Sequence, residues 1–365
     1  MTTAIQPAPS SWQLRAYVLF SLLGWLLIML SFIIGLFVLT PTAADYFGGN
    51  AKATRDAAEA GSSLLGQLQI LQATPRWLEP LTFLGVASFM LGIALEFSSI
   101  PKILQNRGQV MSVCFPIITG LRAEKGAVAE DQQPGFPFSM IEGMMPLFPL
   151  IAVMGWMIVG ISFLIGLFAL APAQTAFLSD AKAVREAAEA GSAFVNANVS
   201  IHVLEAWVPQ FKFLGLGLGL MAITMALGTI AKRLRRMGFV ISSHIPENLR
   251  PAMPAIPRRV RIFQLSTVMG LMVLMLALVI GIVLAVGVVP AYWDNSIANE
   301  LNPAGPGSTL LDQLSVVSSY VNWLNPLRMV GMAFLFSAIT IALMVIINTL
   351  RVQSRLLVRF YEQAS

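Results

Sequence analysis

Few side chains in this chain can carry chemistry, and their spacing limits what they can do. In "HVLE", His202 and Glu205 stand three residues apart on one face of a helix, which is half of a metal site. Nothing nearby supplies the other half, so the pair reads as an exposed polar contact and no metal is assigned. Met140, Met144 and Met145 in "MIEGMMP" gather soft thioethers of the kind that hold Cu(I). In an apolar chain with 19 Met, packing is the simpler account. Glu96 is the one charged residue inside a long apolar run, which makes it the candidate intramembrane polar site. Its place near the end of that run also lets it snorkel or pair with Lys102. A proton or ion pathway needs several such groups, and the runs supply no second one. The lone Cys114 excludes an intrachain disulfide, and the only other histidine is His244. "GLGLG" at 215–219 has half of a dinucleotide fingerprint, but no strand precedes it and no acidic residue follows. Gly215 and Gly219 therefore read as a helix-packing face. The sequon "NVS" at 198–200 is a weak signal on its own. No Walker loop, Ser-His-Asp set or Cys-rich cage is present, so no catalytic residue and no cofactor is assigned and the expectation is a protein that is not an enzyme.

The elements that would position these residues follow from composition. The chain is 56% hydrophobic and 11% charged, with a mean hydropathy of +0.75. A soluble domain has roughly 45–50% apolar and ~25% charged residues, so this is an integral membrane protein. Six apolar runs, at 17–40, 81–100, 147–171, 213–231, 263–289 and 329–350, are each near the ~20 residues that carry a helix across the hydrocarbon core. Lipid offers the backbone no partners, and the runs lack the alternation of barrel strands, so they must be helices.

Orientation follows from the basic residues. The N-terminus, the 101–146 and 232–262 loops and the tail after 350 hold 16 Lys and Arg, against 7 in the three opposite loops. The positive-inside rule then puts both termini in the cytoplasm, and we expect a multi-pass protein of a bacterial inner (cytoplasmic) membrane. The densest basic stretch is "KRLRRMG" at 232–238. Its Lys232, Arg233, Arg235 and Arg236, joined by Arg258 and Arg259, are assigned to lipid headgroups. A net charge of +5 thus implies a membrane surface and not nucleic acid. Arg15 followed by an apolar run and "PTAAD" imitates a cleavable signal, but the same design recurs at 147–176, so the first helix is expected to be retained.

The chain also repeats itself. "AKATRDAAEAG" at 51–61 returns as "AKAVREAAEAG" at 181–191, and "GWLLIMLSFIIGLFVLTP" at 24–41 as "GWMIVGISFLIGLFALAP" at 155–172. Trp77, Trp207 and Trp323 each stand eight residues before a glycine, namely Gly85, Gly215 and Gly331. These Trp residues suit a membrane-interface belt, and the glycines suit helix packing. Pro41, Pro172 and Pro290 end the first helix of each pair. The spacing predicts an all-α protein of six transmembrane helices in three repeated hairpins, each with a partly helical outer segment of about 40 residues, since those loops are 40, 41 and 39 long. Repeat one is 1–110, a cytoplasmic linker 111–146, repeat two 147–239, a second linker 240–259 and repeat three 260–365. The Lys52/Asp56, Arg55/Glu59, Lys182/Glu186 and Arg185/Glu189 pairs predict a solvated surface helix over each AKAxR phrase. Repeat three has "NSIANELNPAGPG" there, so it should lack that helix.

Six spans in three repeats with both termini inside is similar in architecture to the mitochondrial solute carriers. Their Pro-x-acid-x-x-base motif is absent from the corresponding ends, "TPTAADYF", "APAQTAFL" and "VPAYWDNS", so no family is assigned. Two functional classes remain. The first, favoured because the spans supply few polar side chains beyond Ser, Thr, one Gln and Glu96, is a non-catalytic accessory or scaffold subunit that binds membrane lipids and other integral membrane proteins. The second is a pseudo-threefold carrier or channel for a small solute. Polar groups facing one another inside the bundle would favour the second.

Overall fold

The computed structural model describes residues 11–48, 52–98, 100–101, 103–104, 143–243, 258–297 and 309–364. Among these the chain is helical and contains no strand. Six helices are long and apolar enough to cross a membrane, so the chain is a polytopic, all-helical membrane protein. They are α1 (Ser11–Ile34), α2 (Ser63–Phe97), α3 (Phe148–Ile165), α4 (Ala193–Ser243), α5 (Arg258–Val286) and α6 (Thr309–Ala364). The second helix of each pair begins well before its apolar run. It carries internal proline in all three cases: Pro75 and Pro80, Pro209, and Pro326. Ahead of Pro41 and Pro172 the chain widens into π-turns at Gly35–Leu39 and Gly166–Leu170. A wider turn accommodates a ring that lacks an N–H and would crowd the preceding carbonyl.

The AKAxR phrases differ from the long surface helix expected of them. Only Lys52–Asp56 and Lys182–Glu186 are helical. Gly61 (φ +77°) and Gly191 (φ +79°) then turn the chain in the left-handed region that glycine adopts without strain. The hydroxyls of Ser62 and Ser192 accept from the backbone N–H of Leu65 and Val195, at 3.3 and 3.4 Å, and so cap α2 and the start of α4. The phrase is therefore a one-turn helix, a stop and a cap. Of the four predicted ion pairs only Lys182–Glu186 forms, at 3.7 Å. Lys182 also reaches Asp56, at 3.4 Å, joining the two phrases. Arg55 lies over Tyr46 and Phe47, and Arg185 over Phe177, because a planar guanidinium gains more on a ring face than in a water-screened pair. Burial holds the Arg185 guanidinium below its ordinary pKa range. The third phrase lies mostly outside the described residues, but Ile297 packs on Ala188 and Val195.

Helix packing centres on glycine. A Cβ added to Gly24, Gly155 or Gly270 would stand 2.9, 2.6 and 2.9 Å from the carbonyl oxygens of Gly85, Gly215 and Gly331. In each of the pairs α1–α2, α3–α4 and α5–α6 the two backbones thus touch at one glycine crossing. Close approach of this kind replaces the hydrophobic drive that lipid cannot supply. Helix α4 lies in the middle, packed on α2, α3, α5 and α6. Its "GLGLG" explains how: Gly215 meets α3, Gly217 faces Leu274 of α5, and Gly219 faces Met90 of α2. Around it Leu216, Leu220, Ile223 and Leu227 pack with Leu91, Val159, Leu274 and Leu335 in one continuous apolar core.

Candidate functional site

One end of the bundle carries Trp77, Trp207 and Trp323, and the other carries Lys232, Arg233, Arg235 and Arg236. Lys232 stands twenty positions after Lys212, with no charge between them. At ~1.5 Å per residue that is ~30 Å, the thickness of the hydrocarbon core. Lys212 therefore stands at the border of the apolar layer on the Trp side.

At that border α2, α4 and α6 enclose a cavity of about 450 Å³. Its walls bring together Arg76 and Glu79 from α2, Glu205 and Lys212 from α4, and Tyr320, Asn325 and Arg328 from α6. Arg76 pairs with Glu205 across the α2–α4 contact, and its other amino group reaches the Gln174 amide oxygen at 3.4 Å. His202 Nδ1 lies 3.2 Å from the second oxygen of Glu205, and the imidazole is stacked on Trp293 with ring centres 3.6 Å apart. Lys212 donates to Glu79 at 2.6 Å and sits 4.9 Å from the centre of the Phe83 ring. Glu79 also borders a second hollow, of about 350 Å³, beside Ile28, Phe32 and Leu78.

Arg328 differs from the other two cations. It is 4% exposed, its guanidinium lies 5.7 Å from the Phe213 ring centre, and it donates to the Asn325 side chain. Its Nε is buried without a hydrogen-bond partner, and among the described residues no carboxylate pairs with it. Three cations thus share the cavity with two carboxylates, and each carboxylate is already committed.

No family model, curated protein or solved structure matches the chain. The His202–Glu205 pair is half-buried and not the fully exposed contact expected, because α4 extends far enough to lay Glu205 against Arg76 and His202 against Trp293. Among the described residues no group of three or more His, Cys, Asp or Glu is placed to hold a metal. Glu96 is exposed in the last turn of α2, away from the cavity. Trp77 and Trp207 are half-buried, the latter stacked on Phe211, and Trp323 is exposed. Gly85, Gly215, Gly219 and Gly331 lie at helix contacts. Lys232, Arg233 and Arg235 are half-buried near the end of α4, Arg236 is exposed there, and Arg258 and Arg259 are exposed at the start of α5. Met145 is buried in the core and packs on Gly228, whereas Lys102, Cys114, Met140 and His244 lie outside the described residues.

The charges that matter at this end are Arg76, Glu79, Lys212 and Arg328, none of which the sequence reading singled out. Their signal is present in the repeat frame. The position five residues after each Trp reads Thr82, Lys212 and Arg328, so two of three copies place a cation at the border of the apolar run.

Proposed function

We propose that this protein is a carrier-class membrane protein that receives a small ligand in the cavity at its Trp end. The reading includes three copies of one helical hairpin, both termini on the cytoplasmic side and the Trp end outside. The observation that carries it is the convergence of five charged side chains from three helix pairs on one hollow at the border of the apolar layer. Charged groups are expensive there, and they are kept where they handle a ligand. The volume lies within the ~300–1,000 Å³ of small-molecule sites. The glycine crossings support the repeat, since the same position in each hairpin meets its partner backbone. Both carboxylates are tied up in ion pairs, which favours binding over acid–base chemistry.

One observation favours a different role. Beneath the cavity α4 presents Leu216, Leu220, Ile223 and Leu227 to a packed apolar core. That suits a scaffold or accessory subunit that binds without transporting.

Reconstitution into proteoliposomes separates the two. The carrier reading expects uptake or current with some member of a panel of organic anions, cations and zwitterions. It expects that flux to vanish in Gln72→Trp, which plugs the cavity from an exposed wall position. Flux unaffected by the plug overturns the reading. No flux at all, with a stoichiometric membrane partner recovered in mild detergent, replaces it with the scaffold. Orientation is tested separately, in a Cys114→Ser background. An impermeant thiol reagent should label Ala190→Cys in intact cells and spare Arg235→Cys.

A further inference from the structure

We propose that the ligand carries an oxyanion, a carboxylate or a phosphate-type group, and that Arg328 is its anchor. This rests on reading the cavity as a ligand site. A guanidinium does not give up its proton in a protein, so a buried arginine stays charged and needs a counter-charge. Leaving one without a partner is among the costliest arrangements a folded protein can hold. Among the described residues the other two cations have counter-charges and this one has none: Glu205 serves Arg76, and Glu79 serves Lys212. Of the charged residues that line the cavity, three are cations and two are carboxylates, so the lining is one negative charge short of balance.

The arrangement of donors also points to an oxyanion. Arg328 donates one terminal amino group to Asn325, and its Nε is buried with no hydrogen-bond partner among the described residues. An Nε–Nη edge is the fork that a carboxylate or phosphate accepts with two oxygens. Tyr320 lines the same space and can donate a third hydrogen bond. Phe213 lies close to the guanidinium and Phe83 to the Lys212 ammonium, so the walls around both cations are apolar and strengthen the attraction. The same chemistry is offered by a free solute reaching the Trp end through water and by an anionic lipid headgroup at the apolar border.

The test uses the full-length protein in a nonionic detergent and follows thermal unfolding. Inorganic phosphate, acetate and dihexanoyl-phosphatidylglycerol are compared with choline chloride at matched ionic strength and with dihexanoyl-phosphatidylcholine. The expected result is a midpoint that climbs with oxyanion concentration, as it does for any ligand held by the native state alone. Arg328→Gln should abolish that climb while raising the midpoint of the ligand-free protein, since it removes a charge that lacks a partner. Arg328→Lys keeps the charge without the fork and should shift the response to higher concentration. A response to phosphate or acetate assigns a free solute. A response to phosphatidylglycerol alone assigns a headgroup, and both support the shared chemistry. An equal response in wild type and Arg328→Gln overturns the proposal, as does no response to any oxyanion. If a cation or neutral solute stabilises the protein and Gln72→Trp removes the effect, the anion is refuted and the cavity reading stands. If nothing responds to the plug, both fall.

Discussion

Lys212 and Gly215 lie less than one turn apart on α4, yet they belong to opposite kinds of structure. At Gly215 the backbone touches Gly155 and has no room for a methyl group, whereas at Lys212 a long cation reaches into a hollow of about 450 Å³. Two crossing helices are closest at the crossing and diverge away from it. Packing at the glycines therefore opens space toward the Trp end, and long charged side chains from α2, α4 and α6 line it. The dry crossing and the polar hollow are two consequences of one geometry.

The sharpest way to break this comparison is to fill the crossing. A Cβ at Gly215 would stand 2.6 Å from both the Gly155 carbonyl oxygen and the Val159 methyl, and a backbone cannot move aside as a side-chain tip can. Gly215→Leu should exceed the ~1–3 kcal/mol typical of overpacking and abolish a monodisperse peak in size-exclusion chromatography. Gln72→Trp, at the hollow, should leave that peak in place. Two intact peaks would mean that the crossing is looser than described.

Within the hollow, the Lys212–Glu79 pair predicts an asymmetry. The lysine side chain is 5% exposed and the glutamate 62%. Glu79→Gln strands a buried ammonium and should cost ~3 kcal/mol, the lower end for a buried charge that loses its partner. Lys212→Met leaves a carboxylate that water can solvate, so its cost should stay within ~1 kcal/mol, as for a surface pair. Thermal unfolding of the two variants measures the difference. Equal losses would show that Glu79 is shielded by something absent from the isolated chain, such as lipid or a partner.

The glycine crossings were legible in the sequence because each recurs at a fixed distance from a Trp. The cavity was not, and the reason is physical. Apolar runs were cut where charges appear, so Glu79, Lys212 and Arg328 fell just outside the spans that begin at 81, 213 and 329. In the structure the helices run through those charges without a break. Proline misleads in the same way, since Pro75, Pro80, Pro209 and Pro326 all sit inside helices whose freed carbonyls the surrounding helices can accommodate. Glu96 drew attention because it interrupts an apolar run in one dimension. Arg328 is the more deeply buried charge, and its lack of a carboxylate partner among the described residues appears only once the carboxylates of α2 and α4 are paired with each other's cations.

A smaller effect should come from the turns before α2 and α4. Ser62→Ala and Ser192→Ala each remove one cap and should each cost ~1 kcal/mol. The two losses should be similar, because the hydroxyls occupy the same place behind Gly61 and Gly191. Unequal losses in thermal unfolding would mean that the neighbouring phrase holds one turn in place by itself, the Asp56–Lys182 contact being the obvious brace.

The smallest expected effect compares two glycines of α2. Around Gly85 an added Cβ would meet Ile28 at 2.7 Å and the Gly24 carbonyl at 3.0 Å, whereas around Gly66 no atom lies within 4 Å. Alanine is favoured over glycine in a helix by ~1 kcal/mol where nothing opposes it. Gly66→Ala should therefore raise the unfolding midpoint slightly, while Gly85→Ala lowers it. The sign at Gly66 also reports on the protein in its membrane. Gly66→Ala could stabilise the purified chain yet reduce the yield of an assembled complex from native membranes. Another backbone must then come close to the Trp-end extension of α2, which is the surface a scaffold would offer its partner. An unchanged yield leaves that extension bare and keeps the ligand cavity as the functional feature of this end.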